Sequence, residues 1–158
     1  MKVIYTDVLV IGGGLAGLRM AIGAKRNETR SWPTSYRGLL AIHAAKKWDG
    51  HLWDACEMPA YREALSPIVL ARPRSMGFYS EGTLRASIPF GAILCVVRLV
   101  DCVRVVKASD APPIGSPEHE FGDYSPGRYF FRTELVKRFE TPIPCVGRQG
   151  MFQVEVPL

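Results

Sequence analysis

Gly23-Ala24-Lys25-Arg26-Asn27-Glu28-Thr29-Arg30-Ser31-Trp32 sets the expectations for the rest of the chain. It gathers a lysine, a glutamate, an arginine and a tryptophan within eight residues. A short helical run is expected to end near Ala24 and a strand to begin near Glu28. On a helix, Lys25 and Glu28, three apart, share a face. On a strand, Glu28, Arg30 and Trp32 alternate onto one side. Acid, base and aromatic on one side make up a site that reads a flat, polar ligand. The same residues would also make a surface salt bridge beside a half-buried tryptophan.

Downstream, Pro33 ends the strand and residues 34–38 form a turn. Residues 39–43 read as a short apolar strand, with His43 hydrogen-bonding at its end rather than holding a metal. Lys46 and Lys47 follow at a helix start. Residues 52–65 read as an amphipathic helix with Leu52, Cys56, Tyr61, Ala64 and Leu65 inward, bent or restarted at Pro59.

Gly23, Lys25, Glu28 and Arg30 match in full the G-x-K-x-x-E-x-R signature of the ASCH domain family. Residues 31–38 and 40–44 resemble bacterial and phage members of that family, and the resemblance covers most of residues 21–158. It implies an α+β fold, a PUA-like (ASCH) β-barrel with flanking helices, as one domain over residues 1–158. It also implies a cleft around the motif that binds RNA or a nucleotide. There Lys25, Arg30 and Arg37, with Glu28 among them, would contact phosphate or a carbonyl edge, and Trp32 or Tyr36 would stack on a base. Tyr124, Arg128, Arg148 and Gln149 are cleft residues by the same resemblance, with loop and turn hydrogen bonding as their other reading.

Upstream, residues 3–11 are rich in β-branched side chains and read as a strand. Gly12-Gly13-Gly14-Leu15-Ala16-Gly17 fits G-x-G-x-x-G, and residues 15–24 read as a helix. This resembles the opening of the FAD-binding Rossmann fold, in which Gly12, Gly14 and Gly17 would let backbone N–H groups approach a pyrophosphate. Such a site also needs a second parallel strand ending in Asp or Glu about 20 residues on. Glu28 comes only 11 after Gly17, and Asp49 lies beyond a proline and a glycine. No FAD, and no other cofactor, is therefore expected. ASCH members carry a Gln-Pro-Trp segment where this chain has its glycines. Residues 1–22 look grafted from a Rossmann flavoprotein, a chimeric N-terminus that keeps the order strand, helix, Gly23.

Residues 66–89 read as a long loop and residues 90–106 as the longest strand, apolar enough to be buried on both faces or to bend around a barrel. Asp101 interrupts it, facing the cleft or marking the strand end. Residues 107–127, with four prolines and three glycines, read as loop. Residues 128–132 read as a strand whose pattern 136–139 would continue, residues 142–146 as extended and residues 152–156 as a last strand.

With 47% hydrophobic and 22% charged residues, the chain is an ordinary globular sequence rather than a disordered one. Its 20 basic against 15 acidic residues give a net charge of +5, a mild preference for polyanions. Cys56, Cys95, Cys102 and Cys145 lack C-x-x-C spacing, so reduced thiols and no metal site are expected. The run at residues 8–11 is too short to span a membrane and no signal-peptide pattern follows, so a cytoplasmic location is expected. Protein partners are unknown at this point. The alternative to binding is an RNA- or nucleoside-directed hydrolase, an amidohydrolase or a ribonuclease. One family branch acts on acylated cytidine with the motif lysine and a threonine three residues later. Here Glu28 takes that place, and Lys25 and Glu28 would act as general acid and base. A FAD-binding fragment and a join without activity are the remaining readings.

Overall fold

The structure is a computed structural model that describes residues 3–11, 20–21, 23, 25–46, 54, 58–61, 63, 82, 86–148 and 150–157. Among the described residues there are six strands: β1 (Val3–Ile11), β2 (Asn27–Arg30), β3 (Gly38–Ala44), β4 (Ala92–Arg104), β5 (Tyr129–Pro144) and β6 (Met151–Pro157). They form one sheet in the order β2-β5-β4-β3-β1-β6. Only β1 and β3 run parallel; every other pairing is antiparallel. Helix is sparse. Met20, Ala21, Asp54, residues 59–61, Glu63, Gly82, Ala86 and Ser87 are helical, the last three within the stretch read as loop, and a one-turn helix, α1 (Pro117–Glu120), lies between β4 and β5. Among the described residues, no helix is long and apolar enough to cross a membrane.

β4 carries the fold. Its valines, leucines and isoleucines alternate between two buried clusters, one on each face of the sheet. Leu40 and Ile42 of β3 pack into the first with Leu94, Val97, Leu99 and Phe131. Ala41, between them in sequence, packs into the second with Ile93, Val96, Phe139 and Val156. Cys95 sits in the first, where burial pushes its thiol up to about 12. Cys95, Cys102 and Cys145 are free thiols, and Cys56 lies outside the described residues.

The sheet is strongly curled. β5 and β6 stand four strands apart in it. At about 4.8 Å per step, a flat sheet would separate them by about 19 Å, beyond the reach of any side chain. Yet Lys137 Nζ of β5 donates to the Pro157 carbonyl of β6 at 3.5 Å. Register shifts in the β4–β5 ladder next to Ile93, Val96 and Leu99 are the irregularities that allow such bending.

Several elements differ from the sequence expectation. β2 ends at Arg30 and does not run through Trp32. Its partner β5 begins at Tyr129, opposite Arg30, so nothing remains for Ser31 and Trp32 to pair with. The strand expected from residue 128, its continuation at 136–139 and the extended residues 142–144 are one strand of 16 residues. The exposed Leu135 and Val136 break its alternation, which hides its continuity in the sequence. β2 covers only residues 129–132, so the far half of β5 is an edge, where Pro142 and Pro144 are tolerated. Asp101 lies inside β4, at a bulge, rather than at the strand end. Lys46 is an exposed bend residue, not a helix start, and Lys47 lies outside the described residues. The proline-rich segment after β4 holds α1, which Ser116 caps by accepting from His119 N at 3.3 Å, with Pro117 in the first turn.

Candidate functional site

The site is built where the chain turns from helical Met20 and Ala21 into β2. Gly23 makes that turn with φ +77°, a left-handed conformation that favours glycine, and its N–H donates to Met20 O at 3.1 Å. Arg26 follows, with its peptide groups pinned from two directions. Its carbonyl accepts from Thr133 N at 2.8 Å and Thr133 Oγ1 at 2.7 Å. Its N–H donates to both oxygens of Glu118, at 3.2 and 2.9 Å, and the next N–H, of Asn27, reaches Glu118 Oε1 at 2.7 Å.

This framing places Lys25 against Glu28. Lys25 Nζ lies 2.5 Å from Glu28 Oε2, and Arg30 Nη2 lies 3.1 Å from Glu28 Oε1. One carboxylate is thus shared by two cations, one on each oxygen. Lys25 and Glu28 are each only 5% exposed, so this pair is buried and not a surface salt bridge, while Arg30 is partly exposed. Phe131 sits opposite Glu28 across the β2–β5 ladder, and the Trp32 ring meets it edge-on at 5.2 Å. The triad carries a net positive charge. Beside it opens a cleft of about 370 Å³ with Lys25, Arg26, Thr133 and Glu134 as its polar wall and Met20 and Val97 among its apolar lining.

The other residues singled out from sequence are distributed around this centre. Tyr36 packs against the first cluster and donates its hydroxyl to Leu39 O at 2.7 Å. Its hydroxyl lies where a Cβ at residue 38 would come within 2.9 Å, which restricts that position to Gly38. Arg37 pairs with Asp101 at 3.3 Å and donates to the Thr34 and Tyr36 carbonyls. Arg128 pairs with Asp123 at 3.4 Å, one residue from the Tyr129 that faces Arg30. Arg148 lies over the Phe152 ring at 5.6 Å, and Phe152 packs on the second cluster, so Arg148 belongs to the opposite face of the sheet from the triad. Gly12, Gly14, Gly17 and Gln149 lie outside the described residues. β1 and β3 are parallel neighbours, as a Rossmann opening requires, but β3 runs out into Ala45 and Lys46 with no acid at its end. No protein-family model matches the chain, and no curated protein matches it in sequence.

His43 is buried and its Nε2–H donates to Cys145 O at 2.9 Å, a bond that ties the segment after β5 onto β3. Among the described residues, no three His, Cys, Asp or Glu side chains are gathered to hold a metal ion. Tyr124 is buried beside the motif strand. Burial raises its phenol well above the ordinary range, the Asn27 side chain opposes that shift, and the Glu118 and Glu28 carboxylates add to it.

Sequence reasoning missed Thr133, Glu134 and Glu118. Each lies more than 90 residues from Lys25 and reaches the site through strand pairing or a loop, with no motif of its own. The Arg37–Asp101 pair is a contrast to the triad, since both side chains are more than 40% exposed. In a double-mutant cycle of Arg37→Ala and Asp101→Ala, the coupling is expected to be below about 0.5 kcal/mol. Asp101→Ala alone should cost more than Arg37→Ala alone, because Asp101 Oδ1 also accepts from Cys102 N at 2.8 Å. Urea unfolding of the four proteins measures both.

Proposed function

We propose that this is an ASCH-type, PUA-like barrel protein that binds single-stranded RNA or a nucleotide in the cleft beside Lys25. The observation that supports this reading most is the Lys25–Glu28–Arg30 triad, whose Lys25 lines the cleft. Buried ion pairs add little net stability, since desolvation offsets their attraction. What such a triad does supply is a fixed, net positive charge at a cleft, which suits a phosphate or a base carbonyl. Glu134 adds oxygen acceptors for sugar hydroxyls, the groups that distinguish RNA from DNA. The curl that brings β5 to β6 agrees with a barrel.

A nucleoside-directed amidohydrolase is the second reading, favoured by Lys25, Thr133 and Glu134 sharing one cleft. Release of the acyl group from an acylated cytidine, lost in Lys25→Ala, would support it.

The test of binding uses labelled single-stranded RNA over a salt series. The variant combines Lys25→Met, Glu28→Gln and Arg30→Met, which neutralises the triad without leaving an unpaired charge. Wild-type protein should bind with an affinity that falls as salt rises, and the folded triple variant should bind at least about tenfold more weakly. Equal affinity of the two proteins, or no binding by the wild type at low salt, would overturn the proposal.

A further inference from the structure

We infer that Glu118 is a positioning residue for Lys25, a cleft-lining residue, and sets the ammonium against Glu28 by gripping the backbone of the two residues that follow Lys25. The inference deepens, and rests on, the reading of the cleft as an RNA or nucleotide site. β2 is an outer strand of the sheet, and its N-terminal approach is held from outside by the segment between β4 and β5. The Glu118 carboxylate takes two consecutive main-chain N–H groups, of Arg26 and Asn27. A carboxylate is suited to this because both of its oxygens accept. On the other side of the same turn, Thr133 holds the Arg26 carbonyl through its N–H and its hydroxyl. Arg26 is therefore fixed at both ends, and the direction in which Lys25 leaves the turn is fixed with it.

The segment that delivers Glu118 is itself anchored. His119 stacks on Tyr124 at 5.7 Å, and Tyr124 packs against Phe130 at 5.6 Å. Phe121 meets Tyr61 edge-on at 5.1 Å, and Asp123 N donates to Thr29 Oγ1 at 3.1 Å. Glu118 makes its bonds from a packed platform rather than from a free loop, so its grip is transmitted to Lys25.

The two oxygens do different work, and that makes the inference sharp. Asn27 bonds only Oε1, whereas Arg26 bonds both. In Glu118→Gln the remaining oxygen can keep Asn27 at 2.7 Å and Arg26 only through its longer bond of 3.2 Å, while the new amide N–H₂ replaces the oxygen that held Arg26 at 2.9 Å. In Glu118→Ala both are lost. Amide hydrogen exchange by NMR should therefore accelerate more at Arg26 than at Asn27 in Glu118→Gln, and by about tenfold or more at both in Glu118→Ala. The Lys25 ammonium ¹⁵N signal should shift in Glu118→Ala, and RNA affinity should fall by about tenfold at a temperature where the variant is fully folded. A merely structural role would lower the melting temperature and leave the ammonium signal and the affinity of the folded protein unchanged, and that result overturns the inference. If the wild type binds no RNA, the cleft reading fails by itself. The ammonium signal and the Arg26 exchange, which need no RNA, then decide the role of Glu118: changed in the variants, it stands; unchanged, it falls.

Discussion

Glu28→Gln will lower the free energy of unfolding by about 3–5 kcal/mol, measured by urea denaturation. The substitution keeps the shape of the side chain and removes the one negative charge of the triad. Lys25 and Arg30 then lie side by side with no carboxylate between them. The two cations respond differently. The Arg30 side chain is 21% exposed and can lean toward water, but that of Lys25 is 4% exposed. Lys25 must open the turn to reach solvent, and that costs free energy of the size expected for a stranded buried charge. Combining Glu28→Gln with Lys25→Met should recover most of the loss, because it removes the stranded charge and leaves an apolar chain of similar length. A loss below about 1 kcal/mol in the single variant would mean that Lys25 is solvated, and the triad would then be a surface ion pair of ordinary weakness.

The residues of this triad are legible in the sequence because they are local. Alternation along a strand puts Glu28 and Arg30 on one side, and the structure has them in contact. Lys25 and Glu28 meet as well, though through the turn into β2 rather than on a helix. Their burial is not legible. It comes from Phe131, Thr133 and the Glu118 segment, all brought in by pairings across roughly a hundred residues. The same contrast separates β4 from β5. β4 is apolar nearly throughout and announces itself, whereas β5 switches its inward face at bulges and carries exposed Leu135 and Val136. Period-2 reasoning cannot follow a strand through a register shift, because each extra residue reverses the faces. The cleft suffers from the same limit, since Thr133 and Glu134 sit in the part of β5 whose register the sequence does not reveal.

Phe131→Ala is the second large effect expected, at about 3–5 kcal/mol of lost stability. Phe131 is fully buried, at 0% exposure, in the first cluster. It stands in β5 between Glu28 of β2 and Cys102 of β4, so its ring fills the space where the motif strand joins the sheet. Backbone pairing on both sides keeps the walls from closing over the cavity, which places the cost near the upper end for such truncations. The edge-on contact with Trp32 adds to the loss. Phe131→Leu retains most of the apolar volume and should cost markedly less. The two variants also probe the site, because Trp32 rests on Phe131. In a background of Trp48→Phe and Trp53→Phe, Trp32 is the remaining tryptophan, and acrylamide should quench it more readily in Phe131→Ala than with Phe131 in place. Stability and quenching should change together if the aromatic beside the triad is held by the core rather than by its own loop. A destabilised Phe131→Ala protein with Trp32 still shielded would show that residues 31–37 hold the indole themselves, and Trp32 would then be positioned independently of the strand that carries Glu28 and Arg30.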